Sequence, residues 1–204
     1  MMICNSFNTS SNPTRAIIAL HGWTGDVHSM DPIVKSIKIP NTKWILPQAP
    51  YISEKQGFTW FQGSDETGWL YKKSFNILSN LIENLVKEGF NYNDIFMIGF
   101  SQGACLTKEY LIRQSFSIGG IIPVAGFIRY KEKFLKDSTS KSKNTRIFLI
   151  HGKKDKVVLP IESEQSYNLF NSLGYSVQLA LEPVGHKIPL RIKDEIRRFI
   201  INQS

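Results

Sequence analysis

The sequence predicts an α/β fold, an open and mostly parallel sheet with helices on both faces. Three observations support it: short apolar runs rich in β-branched residues, longer stretches of helical period between them, and runs that are apolar on both faces. Strands that are apolar on both faces are typical of a parallel sheet covered on two sides by helices. Six strands are predicted, at residues 15–20, 43–46, 95–100, 119–125, 146–150 and 176–181.

Helical spacing of apolar residues predicts the helices between these strands. The stretch at 74–89 carries such a stripe and ends at Gly89, which is suited to a helix C-terminus. A second helix is predicted over 161–174, ending at Gly174, and a third closes the chain at 190–201. We expect the polar stretch 129–144 to form a flexible loop.

The size of the chain indicates a single domain spanning residues 1–204, with residues 1–13 as a flexible N-terminal extension. With 42% hydrophobic residues the chain can bury a core, yet no apolar run approaches the ~18 residues of a membrane helix. The N-terminal segment lacks a secretory pattern. Cys4 lies in a polar segment and Cys105 in an apolar helical pattern, so we expect no disulfide and a cytoplasmic protein.

The net charge of +8 is concentrated in the second half of the chain, mainly in 131–143 and 152–156. Acidic residues and serines interrupt these lysines, and no aromatic residues alternate with arginines there. This pattern favours a solvated surface over a nucleic-acid interface. Recruitment to anionic membranes without stable insertion stays open as an alternative, and it predicts salt-sensitive binding to anionic vesicles.

The residues that follow the strands carry the candidate chemistry, because ligands bind beyond the carboxyl ends of strands in open α/β sheets. Ser101 follows the strand at 95–100, between Gly99 and Gly103, where small neighbours permit a sharp strand-to-helix turn. Asp155 lies five residues past one later strand, and His186 lies five residues past the next. The order serine, acid, histidine predicts a catalytic triad.

The chemistry divides naturally among these residues. Ser101 needs a base to take its proton, and His186 suits that task, while Asp155 orients the imidazole. An acyl-enzyme would form on Ser101 and then be hydrolysed. The backbone N–H groups of Gln102 and Trp23 are the predicted donors to the oxyanion.

These segments resemble the small carboxylesterase/acyl-protein thioesterase family of α/β-hydrolases, also called the phospholipase/carboxylesterase family. The similar stretches run in family order and include "LHGWTGD" (20–26), "PQAP" (47–50), "GFSQGA" (99–104), "HGKKDKVV" (151–158) and "GHKIP" (185–189). The resemblance implies a three-layer α/β-hydrolase fold with a minimal lid. It also implies hydrolysis of carboxylic esters or thioesters, no metal or organic cofactor, and a monomer or homodimer.

The chain departs from the family pattern in the first loop. Thr24 occupies the place of a second glycine, and Trp23 stands where leucine is frequent, so we expect it to narrow the acyl pocket. Lys187 follows His186 where an acidic or small residue is frequent.

Several aromatic and histidine residues have less specific expectations. Trp60, Phe61 and Trp69 are candidates for the substrate pocket, with core packing as the alternative for each, and Phe127, just past the fourth predicted strand, is a further pocket candidate. His21 and His151 are expected to serve structural roles, and no spacing indicates a metal site. Lysophospholipase or peptidase activity on the same scaffold remains open, as does a non-catalytic ligand-binding protein with this fold.

Overall fold

The computed structural model describes residues 3–202 and is organised around a seven-stranded sheet. Its strand order is β1-β3-β2-β8-β9-β10-β11, and only the edge pair β1–β3 is antiparallel. Two small hairpins, β4–β5 and β6–β7, lie outside this sheet. The strands are β1 (Cys4–Asn8), β2 (Arg15–Leu20), β3 (Thr42–Pro47), β4 (Tyr51–Ile52), β5 (Phe58–Thr59), β6 (Gln62–Ser64), β7 (Gly68–Leu70), β8 (Ile95–Phe100), β9 (Gly120–Val124), β10 (Arg146–Gly152) and β11 (Val177–Glu182).

Helices cover both faces of the sheet, and each face has its own core. The helices are α1 (Asp31–Ile37), α2 (Lys72–Lys87), α3 (Gln102–Leu111), α4 (Lys131–Asp137), α5 (Ile161–Ser172) and α6 (Lys193–Ile201). Alternate side chains of β2 divide between the two cores: Ile18 packs with α2 to α5, and Ile17 packs with α1 and α6. The predicted open, mostly parallel sheet with helices on both faces is confirmed.

The N-terminal segment differs from the expected flexible extension. Residues Cys4–Asn8 form β1, which pairs antiparallel with β3 from Cys4 opposite Pro47 to Asn8 opposite Lys43. Phe7 stacks on Trp44 with the ring centroids 6.5 Å apart. The prediction is therefore wrong for residues 4–8, because an edge strand needs a partner on one side only and one apolar anchor compensates for its polar sequence.

The stretch 129–144 is likewise more ordered than expected. It contains α4, whose Phe134 is fully buried against Phe170 of α5, with ring centroids 5.3 Å apart. The flexible-loop prediction is wrong over residues 131–137. A seven-residue helix with a single core residue leaves no apolar stripe for periodicity to detect.

Both cysteines are free thiols. Cys105 is fully buried in α3, and burial, followed by the nearby Glu109 carboxylate, raises the pKa of its thiol to about 12. It therefore packs as a small apolar residue. Within residues 3–202, no helix combines the length and apolar composition that a bilayer crossing requires.

Candidate active site

Ser101, His186 and Asp155 lie together at the carboxyl edge of the sheet. The Nε2 atom of His186 is 3.0 Å from the Ser101 Oγ, and its Nδ1 is 2.7 Å from Asp155 Oδ2. Because an ionised carboxylate only accepts, Nδ1 carries the proton and Nε2 is free to accept from the serine hydroxyl. The three side chains thus form one hydrogen-bonded chain in the tautomer that proton removal from Ser101 requires.

The turn that presents Ser101 is strained and closely packed. Ser101 has φ 53° and ψ −111°, a conformation that L-residues rarely adopt, and its N–H donates to Val124 O at 2.8 Å. A Cβ on Gly99 would lie 2.4 Å from Gly103 O, and a Cβ on Gly103 would lie 2.4 Å from Leu20 O. Both flanking positions therefore require glycine, as the sequence indicated.

Asp155 is buried, and all of its hydrogen bonds favour the ionised form. Its Oδ1 accepts from the N–H groups of Val157 and Val158 at 2.9 and 3.0 Å, while Oδ2 faces His186. Burial acts to raise the pKa of Asp155, but the hydrogen bonds from His186, Val157 and Val158 outweigh it and lower the pKa. The carboxylate is therefore charged at neutral pH.

His151, at the end of β10, lies directly behind Asp155. Its Nε2 donates to Val158 O at 2.9 Å and is 3.4 Å from Asp155 Oδ2, while the Ser163 hydroxyl donates to Nδ1 at 2.6 Å. Burial lowers the pKa of His151 despite the Val158 carbonyl and the Asp155 charge. A neutral, fully buried ring thus fixes the loop that carries Asp155.

His21, at the end of β2, shapes the loop opposite Ser101. Its Nε2 accepts from the Ala49 N–H at 3.1 Å, so Nδ1 carries the proton and donates to Gly22 O at 2.6 Å. Burial lowers the pKa of His21 as well. A Cβ on Gly25 would lie 2.7 Å from His21 Nδ1, so the loop folds tightly over the imidazole.

Two backbone N–H groups beside Ser101 are available to an oxyanion. Gln102 is the first residue of α3, where the N–H has no intrahelical acceptor. The loop of Trp23 passes against Ser101, since a Cβ on Gly22 would lie 3.5 Å from the Ser101 Cβ. Within residues 3–202, neither the Trp23 nor the Gln102 N–H donates to a protein acceptor.

Thr24 has a backbone conformation that favours glycine. Its φ is 68°, in the left-handed region that a β-branched residue rarely occupies. Main-chain bonds to the β4–β5 hairpin hold it there: Thr24 N–H donates to Phe58 O at 3.0 Å, and Phe58 N–H donates to Gly25 O at 3.1 Å. This conformation therefore costs roughly 1–3 kcal/mol of backbone strain, against which the two main-chain hydrogen bonds act.

A cavity of about 340 Å³ opens at Ser101. Its walls are mostly apolar and include Trp23, Phe61, Trp69, Phe127 and Val158. Trp23 is 45% exposed and stands at the cavity opening. The size and lining suit a small organic ligand with an apolar portion.

Trp60 does not line this cavity, contrary to one of the two roles expected for it. It is fully buried, and its indole N–H donates to His21 O at 2.9 Å. The Gln102 side chain holds the adjoining main chain: its Oε1 accepts from Trp60 N–H at 2.8 Å, and its Nε2 donates to Thr59 Oγ1 at 2.8 Å. Trp60 therefore supports the pocket from behind.

Arg129, which the sequence did not mark as a site residue, also lines the cavity with its side chain. It falls two residues after Phe127, but its place in a polar stretch attributed to a loop concealed it. Proximity to the end of β9 was the signal that could have found it.

Comparison with known proteins places this architecture in a family. The model of the family described as Phospholipase/Carboxylesterase matches residues 6–203. An acyl-protein thioesterase 1 from Cryptococcus neoformans is 28% identical over 163 residues, covering 71% of this chain and 68% of its own length. The carboxylesterase SOBER1 from Arabidopsis thaliana is 25% identical over 191 residues, covering 84% and 83% of the two chains.

The crystal structure of Arabidopsis thaliana SOBER1 superposes with a TM-score of 0.80 at 22% identity, covering 91% of this chain and 97% of that chain. At this identity the superposition shows a shared fold. Together with the family match over nearly the whole chain, it shows that the protein belongs to the phospholipase/carboxylesterase family of α/β-hydrolases.

Proposed function

We propose that this protein hydrolyses carboxylic ester or thioester bonds through an acyl-serine intermediate on Ser101. The single observation that carries this assignment is the hydrogen-bonded chain from Ser101 through His186 to the buried Asp155. Family membership supports ester or thioester hydrolysis as the reaction.

In the first half of the reaction, Ser101 Oγ attacks the carbonyl carbon as His186 Nε2 takes the hydroxyl proton. The negative charge of Asp155 stabilises the imidazolium that results, and its hydrogen bond keeps the ring aligned. The proton then passes from His186 to the leaving alcohol or thiol, and the acyl group remains on Ser101. A water molecule, activated by the same imidazole, releases the acid in the second half.

The negative charge that develops on the carbonyl oxygen needs preorganised donors. The free N–H groups of Gln102 and Trp23 are the candidates, and the N-terminal end of α3 adds a favourable dipole. Loss of one such donor typically lowers kcat by about 10²–10³.

The experiment that tests this assignment is hydrolysis of p-nitrophenyl esters, from acetyl to dodecanoyl, by the wild type and Ser101→Ala. We expect the variant to fold normally and lose nearly all activity, roughly 10⁶-fold in kcat. A fluorophosphonate probe should label the wild type and spare the variant. Ser172→Ala, an exposed hydroxyl on α5, is the matched control and should behave as wild type.

Wild-type protein that cleaves no ester or thioester and resists the fluorophosphonate would refute the catalytic assignment. A non-catalytic ligand-binding protein would then be the better description. Activity confined to lysophospholipids or to peptide bonds would instead identify one of the related reactions on the same scaffold.

We further propose a cytoplasmic protein, which the two free thiols support because cytoplasmic thiols stay reduced. Fractionation of cells with an antibody against the native chain tests this location. Light scattering of the purified protein distinguishes a monomer from a homodimer.

A further inference from the structure

Arg129 is one of two charged residues that line the cavity at Ser101. It belongs to the segment between β9 and α4, and its main chain is held by the buried Glu109 carboxylate. Glu109 Oε1 accepts from the N–H groups of Arg129 and Tyr130 at 2.8 and 3.1 Å. The other charged lining residue, Glu54, lies on the exposed loop between β4 and β5.

The Arg129 guanidinium is enclosed by three aromatic rings of the cavity. Its Cζ lies 3.9 Å from the centroid of the Trp69 ring and 5.1 Å from those of Phe61 and Phe127. Cation–π attraction of this kind fixes the plane of a guanidinium while leaving the N–H groups at its edge free to donate. The aromatic rings thus orient the charge without neutralising it.

No carboxylate of residues 3–202 forms an ion pair with Arg129, and its buried Nε has no acceptor. Arg113 shows the contrasting arrangement, since it pairs with both Glu109 and Asp137 at 2.8 Å. Arg129 is only partly buried, and within the described residues its Nη1 and Nη2 atoms have no hydrogen-bond partner and are not among the buried unpartnered atoms. Because the side chain lines the cavity, these Nη groups can donate hydrogen bonds to a molecule that enters it.

We propose that Arg129 binds an anionic oxygen group of the substrate, a carboxylate or a phosphate, while Ser101 attacks the ester or thioester carbonyl. The inference rests on the function proposed above and adds a substrate class to it: esters or thioesters that carry a negative charge. Planar guanidinium donors match the two oxygens of such groups, and the apolar walls strengthen the contact. An interaction of this strength is expected to raise kcat/KM roughly tenfold or more.

Matched ester pairs test the charge on either side of the scissile bond. On the acyl side, mono-p-nitrophenyl glutarate is compared with p-nitrophenyl pentanoate. On the leaving-group side, 4-acetoxybenzoate and 4-acetoxyphenyl phosphate are each compared with 4-methylphenyl acetate. The measured quantity is the ratio of kcat/KM for the anionic and neutral ester, in the wild type and in Arg129→Met.

We expect one of these arms to show a ratio that falls at least tenfold in Arg129→Met, mainly through KM, while neutral esters change little. Arg129→Lys keeps the charge and should fall between the two. Arg146→Met is the matched control, because the Arg146 Cζ also lies over an aromatic ring, 4.7 Å from the centroid of Phe199. Arg146 is the first residue of β10, at the end of the strand away from the active site. The ratios of Arg146→Met should equal those of the wild type.

Ratios that stay unchanged in both Arg129 variants, on every arm, would overturn the proposal while leaving the esterase assignment intact. The proposal is also overturned if Arg146→Met lowers the ratios as much as Arg129→Met does. That result would indicate general attraction of anions by a basic protein. Absence of hydrolysis of every ester by the wild type would instead refute the proposed function, and this inference with it.

Discussion

The two sides of the cavity at Ser101 are built in different ways. On the triad side, each polar atom of Asp155 and His186 has a partner within the protein, and the residues follow strands of the central sheet. On the opposite side, aromatic rings from outside the central sheet surround a guanidinium that forms no ion pair with a carboxylate among the described residues. The first side is complete before substrate arrives, and the second is not.

The difference indicates that reaction and selectivity depend on separate parts of this molecule. Strand ends are held by the sheet, so a triad placed on them is precise, although the turn at Ser101 carries backbone strain. The segments 61–70 and 126–130 lie outside the central sheet and carry no triad residue, so they can differ without replacing the triad. Variants on the triad side should therefore act on kcat for every ester, and variants on the aromatic side should act on the choice among esters.

After Ser101→Ala, the largest effect is expected from Asp155→Asn, which should lower kcat by about 10⁴. An amide at this position donates to His186 and favours the tautomer that cannot accept from Ser101. The Val157 and Val158 N–H groups can still donate to the amide oxygen, so the free energy of unfolding should change little. Kinetics with p-nitrophenyl acetate check this, with Asp94→Asn, a partly buried acid in the turn before β8, as control. A loss below tenfold would contradict the triad-side description.

Helix α3 adds a polar group that its surroundings satisfy poorly. Lys108 is fully buried and donates to Ser166 Oγ at 3.0 Å, and burial lowers the pKa of its ammonium to about 8. Because the unfolded lysine binds its proton up to about pH 10.4, the folded protein is penalised below pH 8 and gains stability as pH rises from 8 towards 10.

Lys108→Met should therefore raise the free energy of unfolding at pH 7 by roughly 3 kcal/mol, with a smaller gain at pH 9.5. Urea unfolding at the two pH values measures the difference. The exposed Lys87→Met should show no such pH-dependent gain. A destabilised variant at pH 7 would show that the ammonium is well accommodated.

His151→Gln tests how far the rigidity of the triad side depends on the histidine behind it. Loss of the contacts to Val158 O and Asp155 should displace the Asp155 carboxylate from its position beside His186. We expect kcat to fall by roughly 10–100-fold with little change in KM. Ser163→Ala removes only the hydroxyl that bonds His151 Nδ1 and should have a smaller effect. If His151→Gln and Ser163→Ala lower kcat equally and lower the free energy of unfolding equally, His151 serves only in packing.

The smallest effect is expected from Trp23→Leu on the aromatic side. The substitution removes a large ring from the cavity opening but keeps the backbone N–H beside Ser101. We expect the optimum along the p-nitrophenyl series to move towards longer acyl chains by a few-fold, with acetate hydrolysis nearly unchanged. A large loss on acetate would show that the ring, and not only the amide, supports the reacting centre.

The sequence predicted the triad side better than the aromatic side for a physical reason. Ser101, Asp155 and His186 each follow an apolar run, and parallel strands bring those ends together whatever the loops do. The strand β1 and the helix α4 were not predicted, because an edge strand and a short helix with one core residue lack a periodic apolar pattern. Arg129 was not predicted, and the choice between pocket and core stayed open for Trp60, because loop side chains take their orientation from contacts between distant segments.

The side chain of Gln102 has a further consequence. Its hydrogen bonds to Thr59 and Trp60 hold the chain that leads into the aromatic side of the cavity. The backbone N–H of Gln102 lies beside Ser101, so one residue connects the two sides. Residues 61–70 then continue as a hairpin beyond this attachment. Relatives could diverge by exchanging that segment as a unit, and a library confined to it would sample new selectivities while inheriting an intact reaction centre.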